Sequence, residues 1–243
     1  MPTPRFFVPV ALESGQSLLL PEATAHHAAR VLRLQVNDAI TLFNGKGGEH
    51  AAVISAIGKR DVEVSIGVHT TVERESPLAV TLVQAVSSGD RMDLTIQKAV
   101  ELGVTRIVPV QSERCVSRLK GERARKRVAH WQQIVVSACE QCGRNRVPEV
   151  DALITLESWL AAEPGKVARW LLSPEAEQPL RELPRPVLPI EILVGPEGGF
   201  TDTETVMARR AGYLPLRLGP RVLRTETAAP ALLAVMQTLW GDF

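Results

Sequence analysis

The predicted fold rests on two segments, EILVGPEGGF at residues 191–200 and YLPLRLGPRVLRTET at residues 213–227. In each, a short apolar run typical of a buried strand breaks into a loop rich in glycine and proline. A helical pattern follows each loop. This order predicts strands of an open α/β sheet, in which the loops gather at the carboxyl ends of the strands, where ligands of such sheets bind.

The two loops predict a site built mainly from backbone. Glycine lets main-chain N–H and C=O groups approach a ligand without a Cβ in the way, and Pro196 and Pro220 restrict φ beside the glycines. The alternative is a pair of ordinary turns with no ligand. The spacing excludes the dinucleotide fingerprint and the P-loop. The sequence NGKGG at residues 44–48 lies between strand-like runs and predicts a hairpin turn instead.

Composition indicates a soluble globular protein. The chain has 243 residues, of which 45% are hydrophobic and 23% charged, so one large domain or two modest ones are expected. Its N-terminal sequence is not expected to act as a signal peptide, and it has no apolar run of the roughly 20 residues that span a membrane. Its three cysteines form no disulfide framework, which predicts a reducing, cytoplasmic location.

Positive charge is concentrated in the middle of the chain. Residues 76–150 carry 12 basic and 7 acidic side chains, although the whole chain has a net charge of +1. Such a segment indicates either a surface that binds a polyanion or a solvated basic helix.

The first 70 residues predict a small barrel with one helix. The expected strands cover residues 6–8, 17–20, 39–43, 50–57 and 62–68, and the helix covers residues 22–34. On that helix, Arg30 and Arg33 would share one face. A polar linker at residues 72–77 separates a first domain, 1–73, from a second, 74–243.

The second domain alternates strands and helices. Strands are expected at residues 78–86, 106–110 and 167–172, and helices at 90–102, 156–161, 201–212 and 225–240. Thr201 and Glu204 have the spacing of a capping box. The basic residues at 112–127 are expected at the exposed start of a helix that ends near Gly143. Pro230 is expected either to kink the last helix or to delay its start.

Four motifs together resemble one family: VGPEGGF at 194–200, LGPRVLRTETA at 218–228, HAARVLR at 27–33 and EQCGR at 140–144. They are similar to those of the RsmE family, bacterial methyltransferases that modify N3 of a decoding-region uridine in 16S ribosomal RNA. The resemblance implies a PUA-like RNA-binding β-barrel followed by an α/β domain of the SPOUT superfamily, with a parallel sheet and a trefoil knot. It also implies a homodimer formed through the second domain.

The resemblance implies S-adenosylmethionine as the cofactor and the small ribosomal subunit as the partner. The residues expected to bind the cofactor are Leu172, Gly195, Pro196, Glu197, Gly198, Leu218, Gly219, Val222, Leu223, Arg224 and Thr225. The residues expected to contact RNA are Arg5, His27, Arg30, Arg33, Arg114, Arg118, Arg144 and Arg146.

Methylation of uracil N3 requires loss of a proton. A cation near the carbonyl oxygens would stabilise the developing anion, and Arg224, followed by Arg221, is the predicted source. Glu197 or Glu226 would accept the proton, unless both only cap loops and helices.

No metal is expected, because the paired histidines at 26–27 and the cysteines at 139 and 142 lack further ligands at suitable spacing. Two other functions fit the sequence less well than methyl transfer. A non-catalytic RNA-binding or ribosome-assembly factor would explain the basic segment but not the two backbone-rich loops. A dehydrogenase would need the fingerprint and acidic ribose partner that this sequence lacks.

Overall fold

The computed structural model of the chain describes residues 3–163 and 165–243. These residues divide into two compact units. The first contains the chain up to Glu75 together with Cys139–Val147, and the second contains Ser76–Ala138 and Pro148–Phe243.

The first unit is built on a five-stranded mixed sheet. Its elements are β1 (Arg5–Phe7), β2 (Ser17–Leu19), α1 (Glu22–His26), a π-helical turn (His27–Val31), β3 (Ala39–Phe43), β4 (Glu49–Ile57) and β5 (Val62–Thr70). The strand order is β1-β3-β4-β5-β2, and only the β1–β3 pair is parallel. Alternate residues of β5 (Val62, Val64 and Ile66) enter the core, which confirms the predicted half-buried strand.

The predicted single helix at residues 22–34 is wrong in its second half. After His26 the chain widens into the π turn, in which the Leu32 amide donates to the carbonyl of His27 five residues earlier, over 2.9 Å. Arg33 then adopts a left-handed conformation with φ of 55°. Arg30 and Arg33 therefore do not share a helix face. The wider turn keeps Ala28 in the core. The chain changes direction at this turn, which a regular helical period does not predict.

The second unit is a parallel α/β structure. Its elements are β6 (Val80–Ala85), α2 (Asp90–Glu101), β7 (Arg106–Gln111), α3 (Gly121–Cys142, of which the last four residues belong to the first unit), β8 (Glu149–Val150), β9 (Ile154–Thr155), α4 (Leu156–Ala161), β10 (Ala168–Leu172), a 3-10 turn (Leu180–Glu182), β11 (Ile190–Val194), α5 (Asp202–Arg210), β12 (Leu214–Leu216) and α6 (Thr225–Trp240). The strands follow the order β12-β10-β11-β6-β7-β8, and β9 also pairs with β7. Every pair is parallel. All five residues of the central strand β11 are buried, as expected for a sheet covered on both faces.

Helix starts in the second unit differ in how well the sequence predicted them. Thr201 and Glu204 form the predicted capping box at the start of α5. By contrast, α3 begins only at Gly121, so residues 112–120 precede the helix and the predicted helical start for this basic segment is wrong. Gly121 has φ of 54°, a left-handed conformation that does not continue a helix towards its N-terminus.

Pro230 lies inside α6, and the helix still begins at Thr225. The expectation of a later start is therefore wrong. Proline removes one helical hydrogen bond, to the carbonyl of Glu226, but Ala229, Leu232 and Leu233 are fully buried around it. Their packing stabilises the helix across the proline. None of the helices among the described residues is long and apolar enough to cross a bilayer.

Candidate functional site

A cavity of about 910 Å³ opens at the carboxyl ends of β10, β11 and β12 in the second unit. The loops that follow these three strands line it, including both segments from which the fold was predicted. All the predicted cofactor-binding residues and the four predicted catalytic side chains lie in its wall. These are Leu172, Gly195, Pro196, Glu197, Gly198, Leu218, Gly219, Arg221, Val222, Leu223, Arg224, Thr225 and Glu226.

The cavity wall is rich in backbone. Gly199 and Gly219 have φ of 67° and 141°, which L side chains rarely adopt. A Cβ built on either would point into open space, so a side chain would not clash there. These positions favour glycine because of their backbone conformation. The Gly199 amide closes the first loop by donating to the carbonyl of Pro196 over 2.9 Å.

Thr225 joins the two loops to each other. Its hydroxyl donates to the carbonyl of Gly195 over 2.8 Å and accepts a hydrogen bond from the amide of Gln84 over 3.2 Å. Gln84 is fully buried near the end of β6. One buried hydroxyl thus fixes the loop after β11, the start of α6 and the end of β6 in a single arrangement.

Glu197 is held by three hydrogen-bond donors. Its Oε1 accepts from the amide of Ser88 over 2.8 Å, from the Ser88 hydroxyl over 2.7 Å and from Nη1 of Arg91 over 2.9 Å. Burial alone would raise the pKa of Glu197, but these hydrogen bonds outweigh it and lower the pKa to about 2. An ionised carboxylate of such low basicity is a poor proton acceptor, so Glu197 acts by holding its loop against the start of α2.

Ser88 and Arg91 are site residues that the sequence analysis missed, although Arg91 lines the cavity directly. They lie in and after the loop that follows β6, a strand that pairs in parallel with β11. The carboxyl ends of parallel neighbours lie at the same edge of a sheet. That rule was the available signal for including this loop in the site.

Glu226 is in a different environment from Glu197. Its side chain is 16% exposed, and its Oε1 lies 3.8 Å from Nε of Arg91. Its Oε2 is buried and has no hydrogen-bond partner within the described part of the chain. Glu226 also lines the cavity, so its carboxylate belongs to the wall of the site.

Exposed arginines contribute positive charge to the cavity wall, among them the two predicted to be catalytic. Arg221 and Arg224 both line it and are both exposed, and the carbonyl of Arg224 accepts the first helical hydrogen bond of α6 from Ala228. Arg114, predicted to contact RNA, is exposed and also donates from Nη1 to the carbonyl of Gly198 over 3.0 Å, so it shapes the same loop. Arg118 is exposed and donates to the carbonyl of Glu113.

In the first unit, two of the arginines predicted to contact RNA are engaged in internal contacts. Arg144 is only 4% exposed and forms an ion pair with Glu75, with Nη2 and Oε2 at 2.5 Å. Arg5 pairs with Glu49 and donates to Oδ1 of Asn145 over 2.6 Å. These contacts hold the segment 139–147 within the unit, so both arginines serve the fold.

The remaining predicted RNA-contact residues of the first unit are on its surface. His27, Arg30 and Arg33 are exposed in and after the π turn. Arg146 is exposed and forms an ion pair with Glu73 at 3.4 Å. These four side chains are accessible to a nucleic acid.

Among the described residues, no cluster of three or more histidine, cysteine, aspartate or glutamate side chains could hold one metal ion. Cys139 is buried, and burial raises the pKa of its thiol to about 12. It is therefore protonated at neutral pH and unreactive.

Replacing Glu197 with glutamine is expected to destabilise the second unit in a pH-dependent way. A carboxylate with a lowered pKa contributes stability above its unfolded pKa, and this contribution is lost as the pH falls through its folded value of about 2. The difference in the free energy of unfolding between wild type and E197Q should be largest above about pH 5 and should shrink towards pH 2. Urea denaturation at pH 7 and pH 3 measures this difference in unfolding free energy. A difference that is the same at both pH values would contradict the lowered pKa of Glu197.

Comparison with known proteins gives matches along the whole chain. A family model described as an RNA methyltransferase domain matches residues 74–237, and one described as an RNA methyltransferase PUA domain matches residues 20–67. A curated relative, ribosomal RNA small subunit methyltransferase E from Buchnera aphidicola, is 34% identical and covers 98% of this chain and 97% of its own length.

Two solved structures are similar over almost the full length. One is a ribosomal RNA small subunit methyltransferase E from Neisseria gonorrhoeae bound to S-adenosyl methionine, with 47% identity, 99% coverage of both chains and a TM-score of 0.93. The other is a Legionella pneumophila protein in complex with the bound cofactor SAM, with 39% identity, complete coverage of both chains and a TM-score of 0.95.

Proposed function

This chain belongs to the ribosomal RNA small subunit methyltransferase E family, and from that premise we propose that it methylates N3 of a decoding-region uridine in 16S ribosomal RNA. The methyl donor is S-adenosylmethionine, and the reaction class is ribosomal RNA methylation. The predicted fold class, a PUA-like domain followed by a SPOUT-type α/β domain, is confirmed. The observation that supports the proposal most strongly is the backbone-lined cavity at the ends of β10, β11 and β12.

The residues around this cavity suit S-adenosylmethionine. The cavity volume of about 910 Å³ falls in the range of small-molecule sites, and its wall combines apolar side chains with loop backbone. Leu172, Val194 and Leu223 offer an apolar slot for adenine, and the loops at 195–199 and 218–225 offer N–H and C=O groups for its polar atoms. When bound, the donor would supply a methyl group. The electrons of the broken C–S bond stay on sulfur, and the N3 lone pair forms the new bond to carbon.

We assign the two functional roles at uracil to Arg224 and Glu226. N3 lies on the pairing edge of the base, so the uridine must be unpaired to react. Arg224, with Arg221 beside it in the cavity wall, supplies positive charge to the uracil oxygens as the base becomes anionic. Glu226 accepts the N3 proton, because it lines the cavity and because the three donors on Glu197 leave that carboxylate too weak a base.

The RNA contacts proposed for this chain come from its exposed cations. They are His27, Arg30, Arg33, Arg118 and Arg146, with Arg114 at the cavity. Arg5 and Arg144 act indirectly, by holding the segment 139–147 in place. The partner we propose is the small ribosomal subunit, in the cytoplasm, with the enzyme acting as a homodimer through its C-terminal domain.

Replacing Arg224 with alanine is expected to lower kcat by about 10²- to 10³-fold, the usual cost of removing one group that stabilises a developing anion. The Kd for S-adenosylmethionine, measured by calorimetry, should change little, since the cofactor is held mainly by backbone. Arg210→Ala is the matched control, because Arg210 is equally exposed on α5 but lies outside the cavity wall. Full activity in R224A would remove Arg224 from the mechanism. Failure of the wild-type protein to bind S-adenosylmethionine would instead favour a non-catalytic RNA-binding factor.

A further inference from the structure

A second cavity, of about 580 Å³, lies in the first unit. It is bounded on one side by α1 and the π turn, and on the other by the β4–β5 loop at residues 57–62. Its volume is in the range of sites that hold a small organic group. Nothing in the proposed methyl-transfer reaction uses it.

The floor of this cavity is apolar. Ala25 and Val62 belong to the core of the first unit, and Ala29, Leu34 and Ile57 pack against that core. Ala29, Leu34 and Ile57 are only partly buried, and such a surface is suited to the flat face of a base, because covering it removes apolar surface from water.

The rim of the cavity is mainly positive. Three cations, Arg30, Lys59 and Arg60, line it together with His26 and two acidic residues, Glu22 and Asp61. Arg30 donates from Nη2 to the carbonyl of Lys59 over 3.4 Å, which places its guanidinium across the opening between the two walls. A guanidinium has five N–H donors in a planar fork that matches the oxygens of a phosphate.

Unusual backbone borders the same cavity. The π turn at His27–Val31 is followed by two non-glycine residues with positive φ, Arg33 at 55° and Asn37 at 74°. Single π turns occur frequently at functional sites, and strained backbone persists only where the surrounding structure fixes it. Here they carry the chain around one wall, so that Ala29 and Leu34 reach the floor while Arg30 stays on the rim.

We propose that this cavity binds one unpaired nucleotide of the RNA substrate, separate from the uridine that is methylated. The base lies on the apolar floor, and its phosphate contacts Arg30 and Lys59. This inference rests on the proposed function, since it assumes that ribosomal RNA is the substrate. It adds a second site, in the first unit, at which the enzyme binds that RNA. Its consequence is that the first unit recognises an exposed base and not merely the charge of the backbone.

Two variants separate base binding from general attraction to phosphate. Arg30→Ala removes a phosphate contact, so the slope of log affinity against log salt for a single-stranded decoding-region RNA should fall by about 0.7. Ala29→Phe fills the floor without a change of charge and should weaken binding about fivefold or more, with the salt slope unchanged. Arg185→Ala, at an exposed position remote in sequence from both walls, is the charge-matched control and should bind as wild type.

Fluorescence anisotropy with labelled RNA measures both effects, and thermal unfolding checks that each variant folds. Should A29F fail to fold, cross-linking of wild-type protein to RNA containing 4-thiouridine replaces it, with cross-links expected within residues 25–36 or 57–62. Binding of R30A and A29F at wild-type strength, or an absence of cross-links in these segments, would overturn the inference. A loss of salt slope in R30A with A29F unaffected would also overturn it, by reducing the site to a charged surface. Each of these outcomes is compatible with methyl transfer by the wild-type protein, so none of them contradicts the proposed function. Only an absence of methyl transfer by the wild-type protein would contradict the proposed function.

Discussion

Replacement of Glu226 by glutamine is expected to lower kcat for methyl transfer about 10²- to 10⁴-fold at neutral pH, the usual contribution of a positioned general base. Glutamine keeps the size and one oxygen of the side chain but cannot take a proton from N3. The carboxylate of Glu226, which lines the cavity, is the group whose function is lost. Single-turnover transfer of labelled methyl groups to ribosomal RNA measures the effect without interference from product release.

The control for this experiment is Glu122→Gln, which changes an exposed glutamate of α3 outside the cavity wall. It should retain wild-type turnover. Calorimetry distinguishes the role of Glu226 as a base from a role as a cofactor ligand, because E226Q should still bind S-adenosylmethionine with a Kd close to that of wild type. Wild-type kcat in E226Q, or a loss of cofactor affinity that accounts for the whole defect, would refute the assignment.

Replacement of Glu191 by alanine is expected to cause the largest loss of stability, about 3–5 kcal/mol of unfolding free energy. Arg169 and Glu191 are directly opposed on β10 and β11, and Nε and Oε1 lie 3.0 Å apart. Their side chains are only 6% and 9% exposed, and the Tyr213 hydroxyl also donates to Glu191. Removing the carboxylate leaves a charged guanidinium and a phenol hydroxyl buried without their partner.

Urea denaturation followed by circular dichroism measures this loss. The double variant R169M/E191L is the informative control, because replacing a whole buried ion pair by apolar side chains is often neutral or stabilising, whereas removing one partner is not. It should therefore be more stable than E191A. If E191A cost less than about 1 kcal/mol, the pair would behave as a solvent-exposed one and the burial argument would be wrong.

Local patterns were enough to predict most of the second unit. The alternation of apolar runs with helical periods located β6, α2, β7 and α6, and the spacing of Thr201 and Glu204 located the start of α5. The carboxyl-end rule for parallel sheets, together with the resemblance, led to the loops that line the larger cavity. These features depend on residues that are close in the chain.

What escaped prediction depends on distant partners. The sequence offers no sign that Ser88 and Arg91 hold Glu197 from more than a hundred positions away, and this contact decides which glutamate is the better base. Similarly, Arg5 and Arg144 resemble surface cations until their partners, Glu49 and Glu75, are placed beside them. The π turn escaped because a helical period assumes 3.6 residues in every turn.

The most direct test of the account is methyl transfer to small ribosomal subunits that lack the modification, followed by mass spectrometry of the nucleosides. With S-adenosylmethionine and the wild-type protein, we predict N3-methyluridine at a single decoding-region position of 16S ribosomal RNA, and far less with R224A or E226Q. Methylation at another atom or another nucleoside, or no methylation by a protein that binds S-adenosylmethionine, would contradict it.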